Sequence, residues 1–165
     1  MSELNKIALE ILANGKGILA ADESNTTMTK RLETVNIKST PENRLAFRET
    51  LLSSESMNDC IGGVILFDET INQTTSTGKS IPDLISSTGA VPGIKVDTGA
   101  KNLANSPEEK ITEGLDGLRE RLKKNYELGA RFTKWRGVDS ISKNYPSKLS
   151  IHSNAHALAR YSALV

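Results

Sequence analysis

Five charged side chains sit in stretches that otherwise read as β-strands. Asp22 closes the run 17–22, Lys95 and Asp97 lie at the end of 91–97, and Lys134 and Arg136 at the end of 131–136. Alternate residues of a strand share a face, so Ile18, Ala20 and Asp22 form one row. Lys95 and Asp97 form another, and Phe132, Lys134 and Arg136 a third. A lysine crowded by other cations and sheltered from water gives up its proton more readily, and can then act as a base or an amine nucleophile. A carboxylate beside it can move protons, and Arg and Lys together can hold a phosphate. A single lysine at a strand end is ordinarily solvated, and Lys95 with Asp97 would serve equally well as an ion pair at a rim. Three strands that each deliver charge to one end point to a functional cluster, without specifying its reaction.

The elements that must position these groups follow from hydrophobic period and punctuation. Leu4, Ile7, Ala8, Ile11 and Leu12 recur at helical spacing, and Gly15 is a stop. A strand over 17–22 and a helical stretch over 26–36 come next. Thr40 and Pro41 then open a helix carrying Leu45, Ala46, Leu51 and Leu52. Residues 61–68 are almost continuously apolar, as in a strand buried on both faces. A short helix over 81–87 stops at Gly89, and 91–97 is the third strand. Ser106-Pro107-Glu108-Glu109 reads as a capping box opening a helix with Leu115, Leu118, Leu122 and Tyr126 on one face. Gly129 ends that helix, 131–136 is the fourth strand, and 150–165 is a last helix with Ile151, Ala155, Leu158, Ala159 and Ala163 on its apolar side.

Strand and helix thus alternate four times behind one leading helix, which predicts an α/β fold with parallel strands and right-handed crossovers. An open doubly wound sheet and a closed (β/α)8 barrel both satisfy the pattern; in a barrel the strand-end charges would face the catalytic mouth. No linker or repeat divides 1–165, so the whole is read as part of one domain. The last helix runs to Val165 with no stop signal, which is expected of a domain incomplete at its carboxyl end.

Composition narrows the classes of function. Basic and acidic side chains number 21 and 20, a balance that argues against a broad nucleic-acid-binding face but leaves room for a small phosphate pocket. No apolar run is long enough to span a membrane, and the leading segment reads as an amphipathic helix, not a signal peptide. Cys60 is the single cysteine, so no internal disulfide can form; its apolar flanks in CIGGVILF predict a buried structural thiol in a reducing compartment. His152 and His156 lie one helical turn apart but lack an acidic or cysteine partner, so they read as solvated and not as metal ligands. Trp135 reads as a packing residue between strand and helix.

Taken with their flanks, ILAADES, GGVILFDET, GIKVD, GLDGL, KWR and NAHALARY occur in the order and at the spacing of the class I fructose-bisphosphate aldolases of glycolysis and gluconeogenesis, which this chain resembles from its first helix to its last residue. The resemblance implies the first four strand–helix units of a (β/α)8 TIM barrel and a Schiff-base reaction without metal or other cofactor. That reaction is the reversible cleavage of fructose 1,6-bisphosphate to dihydroxyacetone phosphate and glyceraldehyde 3-phosphate. Asp22 would orient substrate hydroxyls and the Schiff-base carbon. Lys95 and Lys134 would contact substrate and tune the nucleophile, with Lys134 assisting proton transfer. Arg136, Arg31 and Arg44 would hold phosphate. The family's partners would be the sugar bisphosphate and triose phosphates, its location cytoplasmic and its assembly a homotetramer. Its Schiff-base lysine would lie beyond Val165, so the chain alone is expected to be inactive. The alternative is a non-catalytic, aldolase-like interaction protein.

Overall fold

Side-chain caps set where the helices begin. The computed structural model describes residues 2–165. Ser2 caps α1 (Glu3–Ile11), and a single 3-10 turn leads to β1 (Gly17–Ala21). Ser24 caps α2 (Asn25–Glu33), its hydroxyl accepting the Thr27 N–H. Thr40 caps α3 (Pro41–Leu52), with Pro41 in the first turn where its missing N–H costs nothing. A one-turn α4 (Met57–Cys60) precedes β2 (Ile61–Leu66), and another, α5 (Asp68–Ile71), follows it. Next come α6 (Ile81–Ser87), β3 (Val91–Lys95), β4 (Gly99–Leu103), β5 (Ser106–Glu113), α7 (Leu118–Glu127), β6 (Phe132–Lys134) and α8 (Lys148–Ser162).

Four strands form one sheet in the order β1-β2-β3-β6, and β4 and β5 form a separate two-stranded sheet. The β1/β2 and β2/β3 pairs are parallel, as the strand–helix alternation predicts. The chain divides into two compact units, one running to Lys95 and taking in Asn125–Thr133, the other made of Val96–Lys124 and Lys134–Val165.

In the first unit β2 buries one face fully, with Val64 and Leu66 among Ile71, Ile81, Ile85 and Ile94, while Ile61 and Ile65 on its other face are half-buried, so the expectation of burial on both faces holds only in part. Arg131 N–H donates to the Pro92 carbonyl at 2.8 Å, holding the start of β6 beside β3. The Phe132 ring lies across Gly93 and Gly63. A methyl group on Gly93 would stand 2.5 Å from Phe132 Cε1 and 2.6 Å from Cε2, so only glycine fits beneath the ring. On α3, Leu45 is half-buried, and Ala46 and Leu51 are exposed. The buried residues are Arg44, Arg48 and Leu52, a stripe spaced by four residues that carries two guanidinium groups inward. The buried reading of Cys60 is corrected, because its side chain is exposed at the end of α4, ahead of the strand that carries its apolar flank.

In the second unit the reading of Ser106–Glu109 as a helix start is also corrected. These residues belong to β5, which pairs antiparallel with β4 from Gly99↔Glu113 to Asn102↔Lys110 and then jumps to Leu103↔Ser106. Asn105 turns the hairpin with φ 65°, a left-handed conformation that Asn tolerates. The extra residues bulge out, and the Ser106 hydroxyl still meets Glu109 Oε2 at 2.7 Å, so the side-chain contact of a capping box forms without a helix. Glu109, 1% exposed, also accepts from the Ser147 amide at 2.7 Å and the Ser147 hydroxyl at 2.5 Å, which ties the bulge to the N-cap of α8. Burial alone would raise its pKa; the hydrogen bonds from Ser147, Ser106 and Ser150 outweigh burial and leave it below the ordinary value.

The inward side of α8 is corrected as well. It buries Ser150, Asn154 and Ala157, while Ile151 and Leu158 are exposed. Asn154 Nδ2 donates to the Lys110 carbonyl at 3.0 Å, which seats the helix against the hairpin. Trp135 stacks on Tyr161 of α8 with ring centroids 5.0 Å apart, the packing role expected of it.

Candidate functional site

The parallel register brings two of the expected site residues of the first unit into one row. Ala21 pairs with Leu66 and Leu66 with Ile94, so Asp22, Phe67 and Lys95 follow as the next row at the carboxyl ends of β1, β2 and β3. Residues of one row share a face, so Asp22 and Lys95 project from the same side, two strand spacings or about 9.6 Å apart along the sheet. Both are half-buried. Gly93 lies two residues before Lys95 on that face, so the Phe132 ring forms an apolar floor at the amino-terminal side of the row. Ile18, also on the Asp22 face, is 48% exposed.

A charged network joins α2, α3 and α5. Arg44, buried, donates from Nε to Glu69 Oε2 at 2.8 Å and from Nη2 to Glu69 Oε1 at 2.5 Å. Its Nη1 reaches the Ser39 carbonyl at 3.2 Å and the Ser39 hydroxyl at 3.1 Å. Glu69, on α5 just past β2, also accepts from Asn25 Nδ2 at 3.3 Å. The Arg44 hydrogen bond pulls the Glu69 carboxyl below its ordinary pKa, and the same bond raises Arg44. Arg31, whose side chain is more than half exposed, pairs with Glu23. Arg48 is completely buried; its Nη2 donates to the Glu23 carbonyl at 2.6 Å and its Nη1 lies 4.0 Å from Glu69 Oε2. Burial pushes its pKa down, opposed by the charges of Glu23, Glu69 and Asp22.

In the second unit, Lys134 ends β6, half-buried, and its carbonyl accepts from the Val96 N–H at 3.1 Å. Arg136 is exposed two residues on, and its carbonyl accepts from Thr112 Oγ1 at 2.6 Å. Asp97 is buried, its Oδ1 accepting the Gly99 N–H at 3.1 Å. Arg121 braces the same loop, donating from Nη1 to the Val96 carbonyl at 2.8 Å and from Nη2 to the Gly114 carbonyl.

Glu69, Arg48 and Arg121 escape sequence reasoning. The available signal was polar: Glu69 lies three residues past an apolar strand, and Arg44 and Arg48 are one helical turn apart. His152 and His156 are both exposed. Among the described residues, no group of three or more His, Cys, Asp or Glu side chains is placed to hold a metal ion, and no helix is long and apolar enough to cross a membrane.

A family model for glycolytic fructose-bisphosphate aldolase class-I matches residues 3–165. A probable fructose-bisphosphate aldolase class 1 of Xanthomonas campestris pv. campestris is 52% identical over 164 residues, covering 99% of this chain and 49% of that protein. Fructose-bisphosphate aldolase 6, cytosolic, of Arabidopsis thaliana is 49% identical, covering 97% of this chain and 47% of that one. Among solved structures, the fructose-bisphosphate aldolase of Plasmodium falciparum, in complex with TRAP and a small-molecule inhibitor, superposes with a TM-score of 0.93 at 44% identity over 98% of this chain and 47% of that one. The chain therefore spans about half the length of the relatives it matches, and its fold corresponds to part of a (β/α)8 barrel.

Proposed function

The chain belongs to the class I fructose-bisphosphate aldolase family, and from that premise we propose that it carries part of the machinery for reversible cleavage of fructose 1,6-bisphosphate to dihydroxyacetone phosphate and glyceraldehyde 3-phosphate. The observation that carries this reading is the row formed by Asp22 and Lys95 at the carboxyl ends of parallel strands, over the Phe132 floor. The carboxyl end of such strands is where a barrel places its chemistry.

In this reading a lysine outside these 165 residues attacks the substrate ketone, and the iminium that forms draws in the electron pair released when the carbon–carbon bond breaks. Asp22 orients the substrate hydroxyls, Lys95 contacts substrate oxygens, and Lys134 assists proton transfer. Arg136 and Arg31, both exposed, are available to phosphate once Arg31 exchanges Glu23 for it. Arg44 would reach a phosphate only by releasing Glu69 and Ser39. A cytoplasmic location and a homotetramer complete the proposal.

The test is to express this sequence within the longest polypeptide its source encodes and, separately, as residues 1–165. Both forms are assayed for fructose 1,6-bisphosphate cleavage and for reductive labelling by borohydride in the presence of substrate. The longer form is expected to cleave and be labelled, and residues 1–165 to do neither. Turnover and labelling of residues 1–165 alone would make Lys95 or Lys134 the nucleophile and overturn the assignment. An inactive longest form would favour a non-catalytic interaction protein.

A further inference from the structure

Arg48 is a charged side chain in a place where folding alone would favour an apolar one. It is 0% exposed, and its guanidinium has one hydrogen-bond acceptor within reach, the Glu23 carbonyl at 2.6 Å. Its Nε and Nη1 are buried without a hydrogen-bond partner. A buried cation with unsatisfied donors is costly, and replacing such a group by an apolar one of similar volume is often neutral or stabilising.

The guanidinium stands between two fixed points. On one side is Glu69, gripped bidentately by Arg44, with Oε2 4.0 Å from Arg48 Nη1. On the other is the Glu23–Ser24 peptide, one residue past Asp22, whose carbonyl belongs to Glu23. That peptide also leads directly into Ser24, the cap of α2. We propose that Arg48 is a positioning residue: it fixes the peptide between the end of β1 and the cap of α2, and so aims the Asp22 carboxylate along the row it shares with Lys95. The inference deepens the aldolase reading of the same site and rests on it for its kinetic consequence, but its structural claim concerns the Asp22–Ser24 backbone alone.

Met approximates the length of the Arg48 side chain without its donors, and Lys keeps a donor able to reach the Glu23 carbonyl. The test compares R48M and R48K with the parent in the full chain as its source encodes it, by backbone hydrogen exchange and by fructose 1,6-bisphosphate kinetics. In R48M, exchange at the Thr27 and Met28 amides, which donate to the Ser24 hydroxyl and carbonyl, is expected to accelerate at least about tenfold, while Val64 and Leu66 in β2 hold their protection. In the same variant kcat is expected to fall about tenfold or more with KM within about twofold, because a misaimed carboxylate acts on the transition state and not on binding. R48K is expected to recover most of both losses.

Unchanged exchange at Thr27 and Met28 in R48M overturns the inference, and so does loss of protection spread evenly over β2, which would make Arg48 a stability residue only. A parent with no cleavage activity overturns the aldolase reading instead, and the exchange data then decide the positioning role by themselves. A parent active as expected, with R48M retaining full kcat despite altered exchange, overturns the link to Asp22.

Discussion

Arg44 and Glu69 meet as a two-point pair across 25 residues of sequence, Nε to Oε2 at 2.8 Å and Nη2 to Oε1 at 2.5 Å, with Ser39 taking the remaining face of the guanidinium. The pair joins α3 to the turn after β2 and leaves Arg44 with its donors engaged. R44M leaves the half-buried Glu69 carboxylate with only Asn25 and the distant Arg48 as partners and should cost about 1–2 kcal/mol in urea unfolding. Its effect on KM should be smaller than that of R31M or R136M, whose guanidinium groups are exposed. A large rise in KM for R44M at unchanged stability would instead make Arg44 a phosphate anchor that releases Glu69 when substrate arrives.

Glu69 sets a pH dependence of stability. The Arg44 hydrogen bond holds its carboxyl below the ordinary value of 4.5, helped by the charges of Arg44 and Arg48 and opposed by burial. A folded pKa below the unfolded one means that the unfolded state takes up the proton first. The stabilisation is therefore fully present above that ordinary value and is lost as pH falls through the folded one. Thermal melts between neutral pH and pH ~3 should show the midpoint falling on the acid side. E69Q should lower the midpoint at neutral pH and flatten that acid slope; an unchanged slope would place the titration elsewhere.

The fit of Phe132 over Gly93 should appear as a coupled pair. G93A forces a methyl group against the ring and should destabilise by about 2 kcal/mol. In an F132A background the same change meets open space and should cost far less. A double-mutant cycle is expected to give a coupling of about 1–3 kcal/mol, and additive effects would mean that the ring does not bear on Gly93.

K134M separates chemistry from binding. If Lys134 has the proton-transfer role proposed for it, the change made in the longest form the source encodes should depress kcat much more than it raises KM, because that need arises in the transition state. A raised KM at constant kcat would identify Lys134 as a phosphate contact.

The amino-acid sequence alone determined the four strands of the larger sheet and the strand ends that carry charge, though not the β4/β5 hairpin. An apolar run such as 61–66 has one economical use, as an inner strand of a parallel sheet. Gly89 and Gly129 mark helix ends by their place in the chain, and Thr40 marks a helix start through its hydroxyl's contact three residues on. Asp22, Lys95 and Lys134 at the strand ends were legible for the same reason, because position along a strand is local information.

Which side of each helix faces inward was not local information, and there only the tertiary structure decided. Period alone placed Leu45, Ala46, Leu51 and Leu52 on the apolar side of α3, yet the helix buries Arg44, Arg48 and Leu52, because acceptors from Glu69 and from the Glu23 carbonyl lie there. The same inversion occurs in α8, where Asn154 turns inward to a carbonyl of β5. Ser106 and Glu109 carry a helix-start signature that lost to pairing with β4, because Glu109 finds stronger donors in Ser147, 38 residues away. A buried polar side chain follows its partner, and a partner supplied by a distant part of the chain leaves no period in the sequence from which it could be read.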